Sequence, residues 1–86
     1  MNIQEIQGQV KEFILKEFLP GESPDGLSDS TPLVTGGILD SLATLKLVLF
    51  LESTYGITFE AHDLDAEHLD TIATIAKLVL ARKYAA

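Results

Sequence analysis

The sequence contains no cysteine, so disulfide bonds and thiolate metal ligands are excluded, and redox chemistry indicates no compartment. Basic residues are also few, because six Lys and Arg stand against thirteen Asp and Glu, giving a formal charge of −7. A chain this acidic repels phosphate backbones and anionic lipid headgroups. Nucleic acids and membranes are therefore not expected partners, whereas basic patches on other proteins are.

Long apolar runs are missing as well. The longest unbroken run, residues 47–51, is far too short to cross a bilayer, and the first residues do not have the pattern of a signal peptide. With 86 residues, of which 47% are hydrophobic and 22% charged, the chain is predicted to form one globular domain over residues 1–86. We expect this domain to be cytoplasmic.

Apolar residues recur at helical spacing in three segments, which predicts an all-α fold. The first predicted helix spans residues 2–19, and the second spans Ser41–Tyr55 and ends at Gly56. The last begins near Asp70, with Asp70 as its N-cap, and residues 63–69 are expected to hold one short helical turn. These elements predict a small bundle of three main helices plus a short extra helix.

A long connection, residues 20–40, joins the first two helices and holds all three prolines. Loops of this length without secondary structure are uncommon in compact domains and tend to be functional or disordered. Four apolar side chains predict that the loop is pinned to the core: Leu27, Leu33, Ile38 and Leu39. The loop ends in Gly36-Gly37-Ile38-Leu39-Asp40-Ser41-Leu42, which delivers an Asp-Ser pair to the second helix.

Asp40 and Ser41 both suit the N-cap of that helix, since a short side-chain oxygen there accepts a hydrogen bond from a first-turn N–H group. The same N–H groups and the positive end of the helix dipole favour an anion beside Ser41. From local chemistry alone, Ser41 is either a cap or a position that can carry a phosphate.

The second helix has apolar residues on two nearly opposite sides. At 100° per residue, the two sides are Leu47, Leu51 and Tyr55, and Leu42, Leu45 and Leu49. A surface helix normally has one apolar stripe, so we expect one side to pack into the core and the other to meet a partner or a bound group. Periodicity alone does not distinguish them.

Four acidic residues lie close together before the last helix: Asp63, Asp65, Glu67 and Asp70. An EF-hand loop beginning at Asp63 would need Gly where His68 stands and Glu where Thr74 stands, so calcium binding is excluded. A solvated acidic turn is expected instead. His62 and His68 have no further nitrogen or sulfur ligands nearby in the sequence, and no metal site is predicted.

In these features the sequence resembles the acyl and peptidyl carrier proteins, and the resemblance covers nearly the whole chain. It centres on the run from Gly37 to Leu42, which is similar to the family's D-S-L attachment motif. Thr31-Pro32-Leu33 before the motif and Leu69-Asp70-Thr71-Ile72 at the last helix are also similar to their family counterparts. The tripeptide alone is a weak signal, but at a helix start after a long loop it is far more specific.

The resemblance implies a carrier and not an enzyme in its own right. Ser41 would be esterified to 4′-phosphopantetheine, whose thiol holds an acyl or aminoacyl cargo as a thioester, and Asp40 would help a phosphopantetheinyl transferase engage the site. Other implied partners are an acyl- or aminoacyl-activating ligase and downstream acyl-processing enzymes, acting on a monomeric carrier. The face that these partners read would comprise Leu42, Leu45, Lys46 and Leu49.

Two positions depart from carriers of bacterial fatty-acid synthesis, which place acidic residues where Ala43 and Lys46 stand here. We therefore expect a free-standing carrier of a specialised pathway, either secondary-metabolite or served by a dedicated ligase. Two alternatives stay open. One is a housekeeping fatty-acid carrier, and the other is a non-carrier helical interaction domain in which Ser41 is only a cap.

Overall fold

The structure is a computed structural model that describes residues 2–84. In that range it is all helical and has no strand, with α1 at Ile3–Phe18, α2 at Ser41–Tyr55, α3 at Ala66–Leu69 and α4 at Ile72–Lys83. Two short 3₁₀ turns, Pro24–Gly26 and Ala61–Leu64, complete the described elements. The predicted bundle of three main helices plus one short helix is confirmed.

Local capping explains where the first two helices begin and end. The Asn2 side chain accepts a hydrogen bond from the Glu5 N–H at 2.9 Å, so α1 starts at Ile3, one residue later than predicted. α2 has the predicted bounds and ends at Gly56, whose φ of 65° is in the left-handed region that glycine adopts without strain. The segment between α2 and the second 3₁₀ turn is a connector without regular secondary structure.

The core lies where α1, α2 and α4 meet, and the packing between α1 and α4 is the most extensive. Its fully buried side chains come from all three helices and include Ile6, Val10, Ile14, Leu47, Leu51, Ile72, Ile75 and Val79. Burying each such side chain stabilises the fold by about 1.5–3 kcal/mol. Each helix therefore directs one apolar stripe at the other two.

The long loop between α1 and α2 is pinned to this core, as predicted. Leu27, Leu33 and Leu39 are buried, and Ile38 packs against them in part. At Gly36 a side chain would collide with the main-chain carbonyl oxygen of Pro32, so the loop's tightest approach requires glycine.

Two predictions about the acidic segment are wrong. Thr71, not Asp70, caps α4, because the Thr71 side chain accepts from the Thr74 N–H at 3.1 Å while the Asp70 carboxylate reaches back to the long loop. The second prediction, a solvated acidic turn, is wrong at Asp63, although Asp65 and Glu67 are exposed as expected. Asp63 is only 3% exposed, because Arg82 lies beside it and offsets the cost of burying its carboxylate.

No helix within residues 2–84 combines the length and the apolar character that crossing a membrane requires.

Candidate functional site

Ser41 is the first residue of α2 and its side chain is exposed. The N-cap is Asp40, which is extended and accepts a hydrogen bond from the Ala43 N–H at 2.8 Å. Of the two N-cap candidates that the sequence offered, Asp40 and Ser41, Asp40 is the one that caps the helix. Ser41 therefore does not serve as the cap, and its exposed side chain lies at the positive end of the helix.

The loop before Ser41 is held by its own main-chain hydrogen bonds. The Leu39 N–H donates to the Leu33 carbonyl at 2.8 Å, and the Gly37 N–H donates to the Val34 carbonyl at 3.2 Å. Leu39 is buried, which anchors the chain immediately before the exposed Asp40-Ser41 pair. These bonds set the point at which the chain leaves the core and enters α2.

Asp70 fastens the same loop to the start of α4. Its Oδ1 accepts from the Val34 and Thr35 N–H groups, both at 2.8 Å, and its Oδ2 accepts from the Thr35 hydroxyl at 2.8 Å. These hydrogen bonds, above all those from Thr35, lower the pKa of Asp70 despite its partial burial. Nothing in the local sequence indicates this contact, because the partners are 35 and 36 positions apart.

The two apolar sides of α2 have different surroundings. Leu47, Leu51 and Tyr55 pack into the core, whereas the other side faces solvent. On that side Leu42 is 62% exposed, Leu45 53% and Leu49 55%. Together with the exposed Lys46 they form what we call the leucine face: Leu42, Leu45, Lys46 and Leu49.

The leucine face carries no negative charge, although the chain as a whole has a formal charge of −7. Lys46 is the one ionisable side chain between Ser41 and Leu51. Glu52 follows, but it is half-buried and its carboxylate accepts a hydrogen bond from the Phe59 N–H at 2.9 Å. Within the leucine face the charge is that of Lys46, and the exposed carboxylate of Asp40 lies beside this face at the start of α2.

A small pocket of about 180 Å³ lies beside the start of α2. Its lining residues are Phe18, Asp40, Leu42, Ala43 and Lys46. Phe18 is the last residue of α1, and its ring packs edge-on against that of Phe13, with the ring centroids 5.7 Å apart. The site residues predicted from the sequence did not include Phe18. Its place in the last turn of α1 could have indicated it, because antiparallel packing brings that turn to the start of α2.

Neither histidine takes part in a cluster that could bind a metal. Within residues 2–84, no group of three or more His, Cys, Asp or Glu side chains has the necessary arrangement. His68 lies 2.7 Å from Asp65 and His62 lies 3.4 Å from Glu60, both at the surface.

Comparison with known proteins found a related solved structure. No family model and no curated protein matches the chain. The solved structure "Crystal structure of FAD-dependent dehydrogenase" contains a chain that is 36% identical, with a TM-score of 0.73, over 80% of this chain and 96% of that one. Because 80% of 86 residues make up 96% of the matched chain, that chain is only about 72 residues long. The present chain therefore belongs to the same family as that small helical chain.

Proposed function

We propose that this chain is a phosphopantetheine-dependent carrier, which holds an acyl or aminoacyl cargo as a thioester on an arm attached to Ser41. One observation carries the proposal: Ser41 is exposed at the first position of α2 while Asp40 already provides the cap. A serine that is not needed for capping, at the end of a loop fixed by many contacts, suits covalent attachment.

The N-terminus of α2 fits a phosphodiester. The Asp40 side chain accepts a hydrogen bond from the Ala43 N–H. The N–H groups of Ser41 and Leu42 remain without partners inside the helix. Such groups and the helix dipole favour a negative charge. The attached group would supply the thiol that carries the cargo, so the lack of cysteine is compatible with this chemistry.

Attachment would require a phosphopantetheinyl transferase, and because that enzyme would supply the catalysis, Ser41 needs no activating base of its own. Asp40 is exposed next to Ser41, where it can be read by that transferase. We assign the leucine face to the transferase, to an acyl- or aminoacyl-activating ligase and to later acyl-processing enzymes. Its apolar, weakly positive character favours a specialised pathway over housekeeping fatty-acid synthesis.

The matched structure suggests one class of acyl-processing partner. It is named for an FAD-dependent dehydrogenase, and its matched chain has the fold and about the length of this one. We propose that a flavin dehydrogenase oxidises the cargo while the cargo is held on Ser41.

Intact-mass measurement tests the proposal. The protein is incubated with coenzyme A and a broad-specificity phosphopantetheinyl transferase, and a gain of one phosphopantetheine is expected. Ser41→Ala should abolish the gain. The matched control, Ser53→Ala, removes another exposed hydroxyl of α2 and should keep it. No gain, or a gain that survives Ser41→Ala, would overturn the proposal.

The exposed leucines favour a second candidate, a protein-interaction domain without an arm. In that case Leu45→Glu would abolish association with a partner or a second copy, while Ser41→Ala would leave it unchanged. Size-exclusion chromatography with light scattering separates this function from the carrier function.

A further inference from the structure

We infer that Asp70 is a positioning residue for Ser41, because it fastens the loop that brings Ser41 to the start of α2. The consequence for attachment rests on the proposed carrier function, whereas the fastening itself does not. Asp70 lies far from Ser41 in the sequence and acts through the loop, without touching the attachment site.

The contact is dense and directional. The Asp70 carboxylate receives three hydrogen bonds of 2.8 Å from Val34 and Thr35, and its main-chain carbonyl receives one of 2.6 Å from the Leu33 N–H. Three consecutive loop residues are therefore bound to one residue. A second attachment lies nearby, where the Ala73 N–H donates to the Asp29 carbonyl at 3.1 Å.

The position of residues 33–35 determines that of Ser41 through a short segment of chain that a hydrogen bond closes. The Leu39 N–H donates to the Leu33 carbonyl at 2.8 Å, so the segment between them forms a hydrogen-bonded loop. Asp40, the cap of α2, follows directly. Any movement of Leu33 away from Asp70 therefore shifts the residue next to the cap and the serine.

Burial alone would not give this precision. Leu33 and Leu39 are held by the core, but apolar burial is non-directional, whereas hydrogen bonds depend steeply on angle. Ordering each loop residue costs backbone entropy, so a loop this long needs specific contacts to occupy one conformation. The lowered pKa of Asp70 is in accord with these contacts, since they favour the ionised carboxylate.

Three variants separate positioning from general stability. Asp70→Ala removes all three side-chain hydrogen bonds. Asp70→Asn keeps an oxygen for the Val34 and Thr35 N–H groups, and its amide can donate to the Thr35 hydroxyl. The control is Asp65→Ala, which removes the carboxylate that caps α3 through the His68 N–H and touches no loop residue.

Hydrogen exchange of the backbone amides, measured on the unmodified protein, tests whether Asp70 holds the loop. In Asp70→Ala we expect the Val34 and Thr35 N–H groups to exchange about tenfold faster or more, because each loses a hydrogen bond to a charged acceptor. The Asn variant should stay near the wild-type rate, and Asp65→Ala should leave these amides unchanged. Unaltered exchange at Val34 and Thr35 in Asp70→Ala would overturn the inference.

Attachment kinetics tests the consequence for Ser41. With the carrier as varied substrate, Asp70→Ala should raise the transferase KM several-fold and leave kcat nearly unchanged, because only a fraction of molecules presents Ser41 correctly. Asp70→Asn should restore most of the loss. Faster exchange with an unchanged KM would overturn the positioning role. If even the wild-type protein is never modified, the proposed carrier function is wrong. Amide exchange would then still test whether Asp70 holds the loop.

Discussion

The carboxylate of Asp63 lies 2.7 Å from the guanidinium of Arg82, and the pair joins the second 3₁₀ turn to the last turn of α4. The Asp63 side chain is 4% exposed and that of Arg82 26%. The Glu60 N–H also donates to Asp63 at 2.9 Å. These hydrogen bonds, with that from Arg82 foremost, lower the pKa of Asp63 despite its burial.

Replacing Arg82 by methionine is expected to destabilise the fold, because it leaves the buried Asp63 carboxylate without its cation. We expect the thermal midpoint, followed by circular dichroism, to fall by several degrees. Lys77→Met serves as the control, since Lys77 is an exposed cation of the same helix. Equal midpoints for the two variants would show that the pair is not stabilising.

Acid should weaken the fold through carboxyl groups whose pKa values are lowered by folding, namely those of Asp63, Asp65 and Asp70. In the unfolded chain these groups bind protons near their ordinary pKa of 3.8. Their contribution to stability is therefore present above pH 3.8 and is lost as the pH falls through the lower pKa values of the folded state.

Urea unfolding measured across this pH range checks the expectation. The difference in urea midpoint between the wild type and Asp63→Asn should shrink as the pH falls below 3.8. A difference that grows with acidification would contradict the sign of the pKa change.

Two glycines should respond to alanine in opposite ways. At Gly36 the added methyl group would collide with the Pro32 carbonyl, which is main chain and cannot easily move, so Gly36→Ala should lower the free energy of unfolding. At Gly8 there is open space in the middle of α1, and Gly8→Ala should raise it by up to about 1 kcal/mol. Urea titration of both variants gives the comparison, and two changes of the same sign would contradict it.

Alanine substitutions of two leucines in α2 should distinguish an effect on stability from an effect on docking. Leu51 is fully buried, so Leu51→Ala should cost about 2–5 kcal/mol. Leu45 is 53% exposed, so Leu45→Ala should change stability by less than about 0.5 kcal/mol. If the leucine face docks the transferase, Leu45→Ala should nevertheless slow attachment to Ser41. Attachment at the wild-type rate would remove Leu45 from the docking surface.

The sequence was sufficient to predict features that depend on near neighbours along the chain. The bounds of α2 follow from its apolar run and from Gly56, and burial of Leu27, Leu33 and Leu39 follows from their apolar character in a polar loop. The position of Ser41 at the start of α2 follows from the loop–helix junction. These features reflect helical periodicity and capping, which act within a few residues.

The errors concern side chains whose partners are distant in the sequence. Asp70 has the chemistry of a cap, but Thr71 with Thr74 satisfies the α4 terminus, and Asp70 is left to bind Thr35. Asp63 looked solvated because its cation, Arg82, lies 19 positions away. A short polar side chain fits a local or a distant role equally well, and only tertiary packing selects one.

The bonds between Asp70 and residues 33–35 also determine which parts of the chain open together. Because Asp70, just before α4, and Ala73, in its first turn, both hold the loop, we expect movement of the start of α4 to loosen the loop as well, and with it the support of Ser41 some thirty positions earlier. We therefore expect the loop and the start of α4 to open as one cooperative unit. Any partner that loosens α4 would also change the position of Ser41, which follows the other end of the loop.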